Sequence, residues 1–135
     1  MHSFKAILLP VAVGLLFVPT VNGATKTLQI YFIDVEGGQA TLLVAPSGES
    51  LLVDTGWPGN NDRDANRIAE AVKSAGLKQI DYVLITHYHT DHVGGVQQLF
   101  KKVKVNAFVD HGPNLENDEL APEGYEAYLK SLGAP

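Results

Sequence analysis

The sequence predicts a single α/β domain with the element order β-β-β-α-β-α-β-α. Three observations carry this: short β-branched and aliphatic runs, stretches of helical periodicity alternating with them, and turn residues at the junctions. At 135 residues and 45% hydrophobic content, the chain has apolar material for one core and not for two.

The first three strands are expected at Thr27 to Val35, Ala40 to Ala45 and Ser50 to Asp54, separated by EGGQ and PSGE. Both separators are good turn sequences, so the three runs should form an antiparallel meander. From Asp62 the period changes. Ala65, Ile68, Ala69, Val72 and Ala75 share one helical face, Asp62 and Asp64 suit the first turn, and Gly76 suits the stop. DYVLITH then reads as a strand buried on both faces, because Val83, Leu84 and Ile85 offer no polar side. A second helix should follow, then a strand at Val103 to Asp110. The last helix carries Tyr125, Tyr128, Leu129 and Leu132 and stops at Gly133.

Ahead of these elements, residues 1 to 23 have Lys5 as their only charge and an apolar run from Ile7 to Val18. This is the pattern of a secretory signal peptide cut near Ala24, with a bacterial periplasmic or secreted product. The run is too short, and too broken by Pro10, to span a membrane. The whole chain has a formal charge of -5, so avid nucleic-acid binding is not expected. With no cysteine, an exported domain must rely on its core and on bound metal rather than on disulfides.

The chemistry concentrates in THYHTDHVGG, residues 86 to 95. With 5 His and 8 Asp in the chain, His-x-His-x-Asp-His would arise by chance in roughly four of ten thousand such chains, so coincidence explains it poorly. At an extended strand end, His87, His89 and Asp91 would point one way and Tyr88 and Thr90 the other. His92, near a helix N-terminus, is expected to stay neutral and keep a lone pair for a metal. Imidazole and carboxylate together suit zinc, one ion or two, with manganese or iron as substitutes. An Asp91 that merely caps the helix leaves Gly94-Gly95 unexplained, since two poor helix formers there imply a close backbone approach.

Strand end, THYHTDH and double glycine together resemble the signature of the metallo-β-lactamase superfamily, whose members fold as an αββα sandwich and mostly hydrolyse substrates with one or two zinc ions. Upstream, YFIDVEGGQATLLVAPSGESLLVDTG is similar to the branch containing the hydrolase-like domain of bacterial DNA-uptake competence proteins. There the first turn usually reads Asp-Val-Gly-Gln-Gly-Asp; here Asp34 and Val35 match and Glu36 to Gln39 depart. The resemblance implies that His87 and His89 bind a first zinc and Asp91 and His92 a second, with Asp91 also orienting the attacking hydroxide. It implies a supporting role for Asp54 behind the ligands, and a similar one for Asp34. Trp57 and His111 are expected on the substrate side.

Three function classes follow: an exported zinc hydrolase using metal-bound hydroxide, a nuclease or phosphodiesterase of the DNA-uptake type, and a metal-binding module without catalysis. The substrate is accordingly a small molecule or a phosphodiester. A tetrahedral zinc needs more ligands than either pair provides. Residues 24 to 135 are therefore expected to be the N-terminal half of the sandwich, its C-terminal half missing, with a dimer as the way a short form would complete itself. The face built from Leu28, Ile30, Phe32 and the DYVLITH strand would then lack its covering layer.

Overall fold

A computed structural model describes residues 26 to 115 and 121 to 133. The expected leader, residues 1 to 23, lies outside them. The order is β1 (Gln29–Phe32), β2 (Thr41–Val44), β3 (Ser50–Val53), a 3-10 turn (Asn60–Asp62), α1 (Arg63–Ser74), β4 (Gln79–Leu84), α2 (Thr90–Val93), α3 (Val96–Phe100), β5 (Lys104–Val109) and α4 (Ala121–Ser131). The expected alternation is present, with shorter strands and with the second helix broken in two. No described helix is long and apolar enough to cross a membrane.

The sheet runs in sequence order, β1-β2-β3-β4-β5. Its first two pairings are antiparallel, as short turns allow, and the β3–β4 and β4–β5 pairings are parallel, each bridged by helix. Register gives each face a continuous row. Tyr31, Leu42, Leu52, Val83 and Phe108 align across all five strands on the helical side, where Leu42, Leu52 and Val83 are fully buried. Ala65, Ile68 and Val72 of α1, Val96 and Leu99 of α3, and Tyr128 of α4 join the same core. The apolar stripe of α1 is therefore the one its sequence spacing predicts.

The opposite face is not covered by any described element. Ile30, Leu43, Leu51, Tyr82 and Ala107 form one row, and Phe32, Thr41, Val53, Leu84 and Val109 the next. None of the ten is charged, yet Phe32 is 84% exposed. This corrects one expectation: β4 is buried on one face only, with Tyr82 exposed on the other. Its uninterrupted apolar run reflects two apolar sides, of which one has no neighbour here.

The double glycine between α2 and α3 has a steric reason. A Cβ on Gly95 would stand 2.1 Å from the Thr55 carbonyl oxygen, and one on Gly94 would stand 2.4 Å from Cδ of Pro58. Gly95 N–H donates to the Gly56 carbonyl at 3.0 Å. The double glycine thus lets this turn press directly onto the loop after β3, which is the close approach its sequence implied.

Candidate metal centre

Three segments meet at the carboxyl ends of β3 and β4, where an α/β sheet exposes its loops to ligands. The strap Thr86 to His89 leaves β4, and its direction changes at His89, which is extended (φ -61°, ψ 144°) and precedes α2 without capping it through its side chain. Alternation along the strap turns His87 and His89 one way and buries Tyr88. Asp91 is not in the extended run as expected. It sits in the first turn of α2, because the helix begins at Thr90.

Backbone bonds fix that turn from both sides. The Asp91 carbonyl accepts from Gln39 N–H at 3.1 Å, and the His92 carbonyl accepts from Thr55 N–H at 2.7 Å and from the Thr55 hydroxyl at 3.0 Å. The β1–β2 loop and the β3 end therefore both hold the residues that carry the acid and the last histidine. Trp57, 37% exposed, lies over this junction. Its indole Nε1 and the Asp91 carbonyl crowd the spot where Gly38 would carry a Cβ.

The imidazoles gather closely. Ring centroids are 4.6 Å apart for His87 and His89 and 3.9 Å apart for His87 and His92, and Asp91 Oδ2 is 3.6 Å from His92 Nε2. Behind them is Asp54, fully buried, with a left-handed backbone (φ 59°) that Asp and Asn tolerate better than most residues. Its Oδ1 accepts from Thr86 N–H at 2.9 Å, and its Oδ2 accepts from the Thr86 hydroxyl at 2.7 Å and meets His92 Nδ1 at 2.8 Å.

This network sets tautomers. An ionised carboxylate only accepts, so His92 must carry its proton on Nδ1, and Nε2 is left as the lone-pair nitrogen. Thr86 spends its single hydroxyl proton on Asp54 and can only accept from His87 Nδ1 at 3.1 Å. His87 is accordingly also an Nδ1–H imidazole with its lone pair on Nε2. One buried carboxylate, acting directly and through one hydroxyl, thus orients two imidazoles. Thr86 was not singled out in the sequence, although its place beside the first histidine at a strand end was the available signal.

Donor chemistry suits a divalent metal, but the side chains do not yet enclose one. Among the described residues, no three His, Asp or Glu side chains are placed so that together they could hold an ion. The His87 and His92 rings lie against each other at an interplanar angle of 54°. What the chain holds in place is a set of oriented donors, short of a coordination sphere.

Two expected site residues lie elsewhere. Asp34 does not support the histidines. Its carboxylate is 74% exposed, accepts from Glu36 N–H at 3.1 Å and pairs with Arg67 at 3.3 Å. Arg67 also binds the Asp34 carbonyl at 2.6 Å, and Arg63 binds Glu36 at 2.6 Å. The acids of the DVEGG turn thus serve to anchor the β1–β2 loop to α1. Asp64, in the first helical turn as expected, is 1% exposed and accepts from Trp57 N–H at 2.8 Å, which ties the loop after β3 to the same helix. His111 is exposed beyond β5, and its ring centroid lies 4.8 Å from that of Tyr88 at a tilt of 48°.

Residues 33 to 134 match the family model of the metallo-beta-lactamase superfamily. The chain belongs to that superfamily. Among its relatives, it is 29% identical over 110 residues to a beta-lactamase-like protein 2 homolog of Caenorhabditis elegans, an alignment covering 73% of this chain and 37% of that protein. It is 31% identical over 101 residues to a hydroxyacylglutathione hydrolase of Methylobacillus flagellatus, covering 69% and 37%. A solved mutant metallo-beta-lactamase of Cronobacter sakazakii superposes with a TM-score of 0.48 at 25% identity, over 61% of this chain and 31% of that one. The chain thus spans a little over a third of the length of both curated relatives. Within the metallo-beta-lactamase superfamily it is an α/β member, with a five-stranded mixed sheet helical on one side.

Proposed function

We propose that this chain supplies one side of the active site of an exported, zinc-dependent hydrolase, with His87 and His89 holding a first ion and Asp91 and His92 a second. The observation that carries the reading is the Asp54–Thr86 network, which leaves Nε2 of both His87 and His92 as the lone-pair nitrogen. The buried Asp54 carboxylate takes its three hydrogen bonds from Thr86 and His92 and is satisfied only while His92 keeps its proton on Nδ1, which keeps the lone pair on Nε2. A divalent ion held there would lower the pKa of a bound water and polarise the bond under attack. The chain's own residues orient and enclose. Asp54 fixes His92, Thr86 relays that constraint to His87, and the two backbone clamps on Asp91 and His92 hold the acid in register with the rings. Trp57 shields the Asp91 side from bulk water and offers an apolar wall to a substrate.

The test uses protein purified from its native host, whose intact mass also reports removal of residues 1 to 23. It should hydrolyse at least one member of a panel of lactam, thioester, lactone and phosphodiester reporters, lose that activity to a chelator and regain it with zinc. A phosphodiester as the only substrate would favour the nuclease reading. Zinc uptake without turnover of any reporter would leave a metal-binding module and overturn the hydrolase.

A further inference from the structure

The histidine strap is held in place by the residue between its two histidines. Tyr88 is fully buried and its hydroxyl donates to the Gly112 carbonyl. Its ring meets Tyr125 at 4.5 Å and Tyr128 at 5.9 Å, both on α4. The acceptor is itself fixed: Gly112 N–H donates to Asp110 Oδ1 at 2.8 Å, and Asp110 Oδ2 accepts from the Tyr128 hydroxyl at 2.6 Å. Burial and that hydrogen bond hold the Tyr128 proton well above the usual phenol range, so the hydroxyl remains a donor. On its main-chain side Tyr88 meets α4 again. A Cβ on Gly124 would stand 2.4 Å from the Tyr88 carbonyl oxygen and 2.8 Å from Cγ1 of Val93.

We propose that Tyr88 and Gly124 are positioning residues for His87 and His89, through which α4 sets the placement of the two imidazoles. His87 and His89 are the immediate chain neighbours of Tyr88, so any shift of its carbonyl moves both of their backbones. His92 is anchored separately by Asp54 and should respond less. The use of this arrangement rests on the metal reading above; its geometry does not. Helix propensity makes the opposite prediction for Gly124, because alanine at a helical position normally strengthens the helix. The contacts with the Tyr88 carbonyl and with Val93 make glycine the better residue there.

The experiment compares the full chain with Gly124→Ala, Tyr88→Phe and, as an exposed control on α4, Glu126→Ala. Imidazole 1H–15N spectra are recorded without metal, followed by cobalt(II) titration. In Gly124→Ala the His87 and His89 signals should move while those of His92 move less, and the cobalt(II) Kd should rise at least tenfold. Tyr88→Phe keeps the ring and its packing, loses only the Gly112 bond, and should shift the same two signals by less. The control should match the parent. Folded Gly124→Ala with unmoved His87 and His89 signals overturns the proposal. If Gly124→Ala does not fold, unmoved signals in Tyr88→Phe overturn it instead. Should the signals move while no form binds cobalt, the parent included, the positioning role stands and the metal reading falls.

Discussion

Asp54→Asn is expected to cost the site about 10- to 100-fold in metal affinity while leaving the fold in place. Asparagine has the same shape and tolerates the left-handed backbone at this position (φ 59°). It can still accept from Thr86 N–H through its carbonyl oxygen. Its other terminus, however, is now a donor where the carboxylate accepted. Facing an amide N–H, His92 must present a bare Nδ1 and carry its proton on Nε2, which removes the lone pair from the outward nitrogen. The Thr86 hydroxyl loses its acceptor in the same step, so the constraint on His87 is released as well. Asp54→Ala should fare worse, with a stability loss of about 3 kcal/mol or more, because buried hydrogen bonds to a charged group disappear and a cavity opens. Imidazole 15N shifts would show the tautomer change directly. Unchanged His92 shifts and unchanged affinity in Asp54→Asn would remove the supporting role from Asp54.

The second large effect concerns the open face of the sheet. Leu28, Ile30, Phe32, Tyr82 and Val109 are each at least 44% exposed. With their half-buried row neighbours they form a continuous apolar face of the kind soluble monomers seldom leave open. Covering it would release about 25 cal/mol per Å² of apolar surface, against an association cost of about 4 to 15 kcal/mol. Residues 24 to 135 expressed alone should therefore associate in a concentration-dependent way. Phe32→Lys with Tyr82→Lys should abolish the association, and should change stability by less than about 1 kcal/mol per site because both side chains are already exposed. Sedimentation velocity decides the matter: a wild-type segment that stays monomeric at high concentration would show that this face needs no cover.

Element order and the α1 core face were legible from period alone, since Ala65, Ile68 and Val72 repeat as a helix and are buried as one. The sharing of β4 between a covered and an open face was not legible. Val83 and Leu84 are chemically alike, and only the register against β3 and β5 separates them. Gly94-Gly95 did signal a close approach, but not its partner, because Thr55 lies some forty positions away in sequence. The clustering of the candidate site residues was readable, and their geometry was misread at one position. An alternation argument carries His87 and His89 correctly and fails at Asp91, where a helix has already begun. Asp34 and Asp54 looked equivalent as strand-end acids. Arg63 and Arg67 on α1 separate them, since two guanidinium groups hold the DVEGG turn outward while Asp54 faces Thr86 and His92.

The histidines of the strap, and not the one beyond β5, are expected to hold the metal. Plasma-emission analysis of zinc in the full chain and in His87→Ala and His111→Ala, each at equal protein concentration, tests it directly. Zinc should be present in the parent, lost in His87→Ala and retained at parent-like stoichiometry in His111→Ala. Zinc retained in His87→Ala and lost in His111→Ala would contradict that expectation.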